Sequence, residues 1–188
     1  MEKGKIILLN GVSSSGKTTL SKELVKILPD YFHFSVDEFD FLIEQMEDRE
    51  NNRLIHVSTE YYFHQNIKMF SDSGINLIVD HVLHNEETLL DCLNSLKDNP
   101  VFFVGVHCPI VELEKREKAR GDRQIGLSRK QLNYVHNQNE SYDVEVNTFD
   151  NSSEECAKSV IKKLADVEQW AGWLTSINNI NLAFEGKK

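Results

Sequence analysis

Short apolar runs recur along the chain at Lys5–Asn10, Tyr31–Val36, Ile75–Asp80, Val101–His107 and Tyr142–Asn147. Runs of this length, apolar on successive rather than alternate residues, predict strands buried on both faces, as in a parallel sheet. The segments between them have a helical period. Lys17–Leu28 sets Leu20, Leu24, Ile27 and Leu28 on one face, and Glu86–Lys97 follows an Asn85 cap with Leu89, Leu90, Leu93 and Leu96. Ile110–Arg120 is charged and amphipathic. Ser128-Arg-Lys-Gln131 and Ser152-Ser-Glu-Glu155 read as capping boxes, opening a short helix and a helix over Glu154–Val167. Asp37–Phe70 predicts two or three helices between the second and third strands. Pro29 and Pro100 punctuate helix-to-strand passages, and Pro109 suits a first helical turn. Strand and helix alternate, so the expected fold is α/β, a five-stranded parallel sheet flanked by helices with right-handed crossovers. Residues 168–188 read as a tail anchored by Trp170 and Trp173.

At 188 residues the chain predicts one domain over residues 1–188. Hydrophobic residues make up 40% and charged residues 27%, an ordinary globular composition. The net charge of −9 disfavours a general nucleic-acid binder or a basic membrane-surface protein. Cys92, Cys108 and Cys156 have neither a disulfide-ladder pattern nor zinc-ligand spacing, which fits reduced thiols. The longest apolar run, Val101–Val106, falls far short of the ~20 residues of a membrane span. The first strand holds too few apolar residues for a leader peptide. The expectation is a cytoplasmic protein with no nucleic-acid or membrane partner; the oligomeric state is left open.

Gly11-Val-Ser-Ser-Ser-Gly16-Lys17-Thr18 changes the picture, because it matches G-x-x-x-x-G-K-S/T in full. It follows a predicted strand and opens a predicted helix, the context this loop requires. Its glycines allow successive N–H groups to turn inward onto phosphate oxygens, and the helix N-terminus adds partial positive charge. Gly11, Ser13, Ser14, Ser15, Gly16, Lys17, Thr18 and Thr19 are the candidate nucleotide-binding residues, for ATP with Mg²⁺. Lys17 is expected to reach the β- and γ-phosphates, and the Thr18 hydroxyl to hold the cation.

The third strand ends in Asp80 followed by His81, without the Glu that would activate water in a motor ATPase, and no Asn-Lys-x-Asp guanine-reading motif is present. A kinase instead needs a carboxylate near the γ-phosphate to take the acceptor's proton. Asp37 follows the second strand, at the strand ends where open α/β sheets build their sites. It is the candidate general base, although an Asp there also suits a helix N-cap. Asp80 is the candidate carboxylate for the Mg²⁺ shell. Residues 112–130 hold seven basic and four acidic side chains. Residues 116–128 read as a lid hinged at Gly121 and Gly126, with Arg120 and Arg123 closing on the phosphates as catalytic cations. Lys115, Lys118 and Arg116 read as a solvated face. His81 and His84 suggest no metal site, and His81 is a candidate wall of the acceptor pocket. Tyr61, Tyr62 and Phe63 suit either an acceptor site or helix packing.

The chain resembles the chloramphenicol phosphotransferase-like family of P-loop kinases. The resemblance rests on Leu9–Thr18, Ser35-Val-Asp37, Ile78-Val-Asp80, Val104–Cys108, Glu117-Lys-Ala-Arg-Gly-Asp-Arg123 and Tyr142–Thr148, in family order. It implies a nucleoside-kinase-like sheet and transfer of the ATP γ-phosphoryl group to a hydroxyl of a small molecule, in the named member chloramphenicol. It also implies Asp37 as base, Arg120 and Arg123 as lid arginines, and the nucleotide base near Asn147–Asn151. Between Asp37 and Ile75, where the acceptor is expected, identity to the family is low beyond Asp37 itself. A nucleoside or nucleotide kinase and a non-catalytic nucleotide-binding regulatory module are the alternatives.

Overall fold

The computed structural model describes residues 2–121 and 124–185. Five strands pair in parallel: β1 (Ile6–Asn10), β2 (Tyr31–Ser35), β3 (Asn76–His81), β4 (Val101–His107) and β5 (Val144–Asn147). Their order across the sheet is β2-β3-β1-β4-β5. All five strand positions agree with the apolar runs to within two residues at either end.

The helices are α1 (Lys17–Ile27), α2 (Val36–Met46), α3 (Thr59–Asp72), α4 (Glu86–Leu96), α5 (Ile110–Arg120), α6 (Leu127–Gln131), α7 (Ser153–Leu164) and α8 (Gly172–Glu185). Two helices, α2 and α3, fill the interval between β2 and β3. Among the described residues no helix is long and apolar enough to cross a membrane.

Strand β1 shows why the runs are uninterrupted. Its residues are all buried, with Ile6 and Leu8 in one cluster and Ile7 and Leu9 in the other. Successive side chains point to opposite faces, so a strand covered on both sides has no polar positions to spare. Phe63 and Ile67 of α3, Leu89 and Leu93 of α4, and Trp173 and Ile180 of α8 cover the first face. Leu20 and Leu24 of α1 and Val160 of α7 cover the second.

Two expectations change. Residues 172–185, read from the sequence as part of a tail, form a helix. The Asp143 carboxylate accepts the Ala171 and Gly172 amides at 2.8 Å each and the Phe103 amide at 2.7 Å, so a residue outside the tail caps it onto the sheet. Trp170 packs on Phe102 and Trp173 on Phe103, as anchors. Ser128 does not cap α6: Gly126 is the N-cap, without a side-chain cap, and Ser128 lies inside the helix. The Ser152–Glu155 box on α7 is present with both of its bonds.

Candidate active site

The loop after β1 is shaped by two glycines. A Cβ on Gly11 would lie 2.5 Å from the Val106 carbonyl oxygen, so only glycine lets the chain leave the sheet here. Gly16 caps α1 at φ 95°, a left-handed conformation, and no side chain caps the first turn. The first turn of such a helix suits an anionic ligand, toward which its N–H groups and partial positive charge point. Ser13, Ser14, Gly16, Lys17, Thr18 and Thr19 line a cavity of about 550 Å³. Gly11 and Ser15 lie beneath it, Gly11 against β4 and the Ser15 carbonyl accepting the Thr148 hydroxyl at 2.6 Å. The Ser14 hydroxyl is buried with no partner among the described residues.

The strand order brings the remaining candidates to the same edge. Asp80 is in register with Leu9 of β1 and Ser35 of β2, so the ends of three strands converge on it. Its carboxylate accepts the Thr18 hydroxyl at 2.6 Å and lies 3.9 Å from Lys17 Nζ. Lys17 also donates to the Val12 carbonyl at 3.0 Å. Lys17 and Asp80 are only 6% and 5% exposed, so the pair sits at the floor of the cavity with little of either side chain open to solvent. A hydroxyl and a carboxylate are hard oxygen donors of the kind Mg²⁺ takes beside phosphate oxygens and water. Thr18 and Asp80 therefore fit the cation's chemistry. Asp37 is not the N-cap of α2, which is Ser35. It is the second helical residue, is exposed, and lines the cavity opposite the loop.

Helix α5 supplies the cationic wall. Arg120 lines the cavity, and Arg123 lies outside the described residues. Arg116, expected on a solvated face, lines the cavity too. Its guanidinium donates to Glu112 and to both the hydroxyl and the carbonyl of Thr148, each at 3.1 Å. Since the Thr148 hydroxyl holds the Ser15 carbonyl, Arg116 is tied to the phosphate loop through one residue. Gln131 was also missed; its side-chain oxygen accepts the Ser13 amide at 2.6 Å. Neither contact has a local sequence signal, because each joins residues more than thirty positions apart.

Past Arg120, Gly121 caps α5 at φ 71° and Gly126 caps α6 at φ 86°. The start of α6 is held against α5 through Glu117, which is fully buried. Its carboxylate accepts the Gly126 amide at 2.9 Å and the Ser128 amide at 2.6 Å. Burial alone would raise this carboxyl, but the Ser128 and Gly126 donors outweigh it and hold it below the ordinary value of 4.5.

A second cavity, of about 370 Å³, shares Val36, Asp37, Val82, Leu127 and Gln131 with the first. Asp40, Thr59, Glu60, His81 and His84 complete its described wall. Tyr61, Tyr62 and Phe63 line neither cavity; Phe63 is core, stacked on Phe34. His81 is fully buried, and burial, with His64, His84 and Lys17 nearby, pushes its imidazole well below the ordinary 6.5.

Comparison with known proteins finds a family and a fold for the chain. Residues 4–165 match the family described as chloramphenicol phosphotransferase-like protein. A relative from Mycobacterium tuberculosis strain H37Rv, named "Putative O-phosphotransferase", is 30% identical over 85% of this chain and 82% of its own. The structure of a Deinococcus radiodurans tunicamycin resistance protein superposes with a TM-score of 0.67 at 19% identity, over 86% of this chain and 96% of that one. The Mycobacterium tuberculosis APS kinase CysC, in complex with AMPPNP and APS, superposes with a TM-score of 0.64 at 17% identity, over 88% and 99%. At these identities the two structures speak to the fold, which is that of P-loop kinases.

Proposed function

The chain belongs to the chloramphenicol phosphotransferase-like family, and from that premise we propose that it transfers the γ-phosphoryl group of ATP to a hydroxyl of a small molecule. The observation that carries this reading is the position of Asp37. It lines both the cavity over the phosphate loop and the cavity walled by α2 and α3. A triphosphate along the loop and a hydroxyl in the second cavity would meet at this carboxylate.

The chemistry then divides among named groups. The Asp37 carboxylate takes the hydroxyl proton as the acceptor oxygen bonds to the γ-phosphorus. The bond from that phosphorus to the β–γ bridging oxygen breaks, and ADP leaves. Lys17 and Arg120, with Arg123 beyond the described residues, offset charge on the transferring group. Arg116 holds the loop and Thr148 in place. Thr18 and Asp80 are the residues that would hold Mg²⁺, which neutralises phosphate charge when bound. Residues 116–128 act as a lid that excludes water, and residues 37–73 bind the acceptor. The adenine lies toward Asn147–Asn151, of which Asn151 lines the first cavity. We place the reaction in the cytoplasm, where ATP is abundant. Chloramphenicol or a related antibiotic is the first acceptor to try.

The test is mass spectrometry of chloramphenicol and a panel of hydroxylated antibiotics and nucleosides, each incubated with protein, ATP and Mg²⁺. A product heavier by one phosphoryl group is expected. Nucleotide binding with no phosphorylated product from any compound would instead favour a binding module.

A further inference from the structure

A chain of side chains, half-buried at Asp91 and buried at His64 and His81, leads from α4 to the second cavity. Asp91 Oδ2 lies 2.5 Å from His64 Nδ1, and His64 Nε2 lies 2.8 Å from His81 Nε2. Both imidazoles are fully buried. His81 closes β3 directly after Asp80 and lines the cavity with Asp37, Asp40 and Glu60. Its Nδ1 is buried and has no partner among the described residues.

With His64 neutral, the connectivity sets where the protons sit. An ionised carboxylate only accepts, so the proton on His64 faces Asp91 from Nδ1. In a neutral imidazole the other nitrogen is then a lone pair. Two ring nitrogens at 2.8 Å need one proton between them, and His81 Nε2 must supply it. His81 Nδ1 is left as a lone pair at the cavity wall. Native interiors rarely leave such an acceptor unpaired, and a ligand donor satisfies it.

We propose that His81 Nδ1 is a specificity-determining hydrogen-bond acceptor of the phosphoryl-acceptor site, with His64 and Asp91 as the positioning residues that fix its tautomer. The assignment rests on the reading of the second cavity given above. It selects acceptors that offer a second hydroxyl or N–H besides the hydroxyl that is phosphorylated. It also disfavours anionic acceptors. Asp40 and Glu60 line the same cavity, and no Lys or Arg does so among the described residues. A phosphate or carboxylate placed there would meet a lone pair and like charge, the repulsive element by which sites reject wrong ligands.

Two measurements test this. Nitrogen-15 NMR of histidine-labelled protein, assigned with His81→Asn, reads the tautomer without any turnover. An unprotonated Nδ1 and a protonated Nε2 on His81 are expected; a protonated Nδ1 overturns the proposal. The second is kinetic, with chloramphenicol, adenosine and glucosamine set against gluconate and adenosine 5′-monophosphate. Product is expected only from the first group. His81→Phe should raise the acceptor KM at least tenfold with the ATP KM unchanged. His81→Asn, whose amide oxygen can stand near the Nδ1 position, should recover most of it. Asp91→Asn should raise the acceptor KM more than it lowers kcat. Preference for the anions, or an unchanged acceptor KM in His81→Phe, would overturn the assignment. If the wild type phosphorylates none of the five, the proposed function fails for these acceptors, and the NMR result still decides the state of His81.

Discussion

The Thr18 hydroxyl donates a 2.6 Å hydrogen bond to Asp80, joining the first turn of α1 to the end of β3. The contact presets the two oxygen donors before any nucleotide arrives. Asp80→Asn keeps an oxygen able to accept the Thr18 hydroxyl but removes the charge. The fold should persist, while kcat falls about 10²-fold, the scale for losing one preorganised electrostatic group. The Mg²⁺ concentration for half-maximal rate should rise. A titration of rate against Mg²⁺ checks this, and an unchanged midpoint would remove Asp80 from the cation's shell.

Arg116 is the positive side chain that local pattern misplaced. Its fork spans the Thr148 hydroxyl and carbonyl at 3.1 Å each, a geometry that lysine cannot copy. Hydrogen bonds from a charged donor contribute about 1.5–3 kcal/mol. Arg116→Lys should therefore weaken ATP binding by roughly tenfold or more. Isothermal titration with a non-hydrolysable ATP analogue measures it; an affinity equal to wild type would mean that the Thr148 bridge does not shape the loop.

Glu117 holds the Gly126 and Ser128 amides against α5. Its folded-state pKa lies below the ordinary 4.5, so its contribution to stability is fully present above that value. The contribution is lost as pH falls through the lowered folded value. Glu117→Gln replaces one acceptor oxygen by an amide donor facing a backbone N–H. The cost should be about 1–3 kcal/mol, the scale of one unsatisfied buried donor. Hydrogen exchange should show lost protection concentrated in residues 124–131, and the variant's stability should depend less on pH between 3 and 5 (roughly the carboxylate range). Uniform loss of protection would mean that Glu117 acts through the core rather than through the start of α6.

The strands and the phosphate loop were legible because their signals are local. Ile6–Leu9 is apolar throughout since both sheet faces are covered, and the loop is one contiguous motif. Asp37 and Asp80 could be placed from strand ends alone, because a parallel sheet sends those ends to one edge. The remaining contacts are non-local. Helix α8 is capped by Asp143, 28 and 29 positions before the amides it accepts. Gln131 serves the loop from 118 positions away. The Asp91, His64 and His81 chain draws on α4, α3 and β3. Ser128 matched a capping-box pattern, but Glu117 accepts its amide from outside the helix. No one-dimensional pattern carries such pairings, since each depends on which helices share a face of the sheet.

The central claim is that Asp37 takes the proton of an acceptor hydroxyl beside a nucleotide held by the phosphate loop. The most direct measurement is transfer of label from γ-³²P-ATP to an acceptor by wild type and Asp37→Asn, with ATP affinity determined on the same samples. Transfer reduced about 10²–10⁴-fold, the usual scale of general-base help, is expected, with ATP affinity unchanged. Near-normal transfer by Asp37→Asn would contradict the claim.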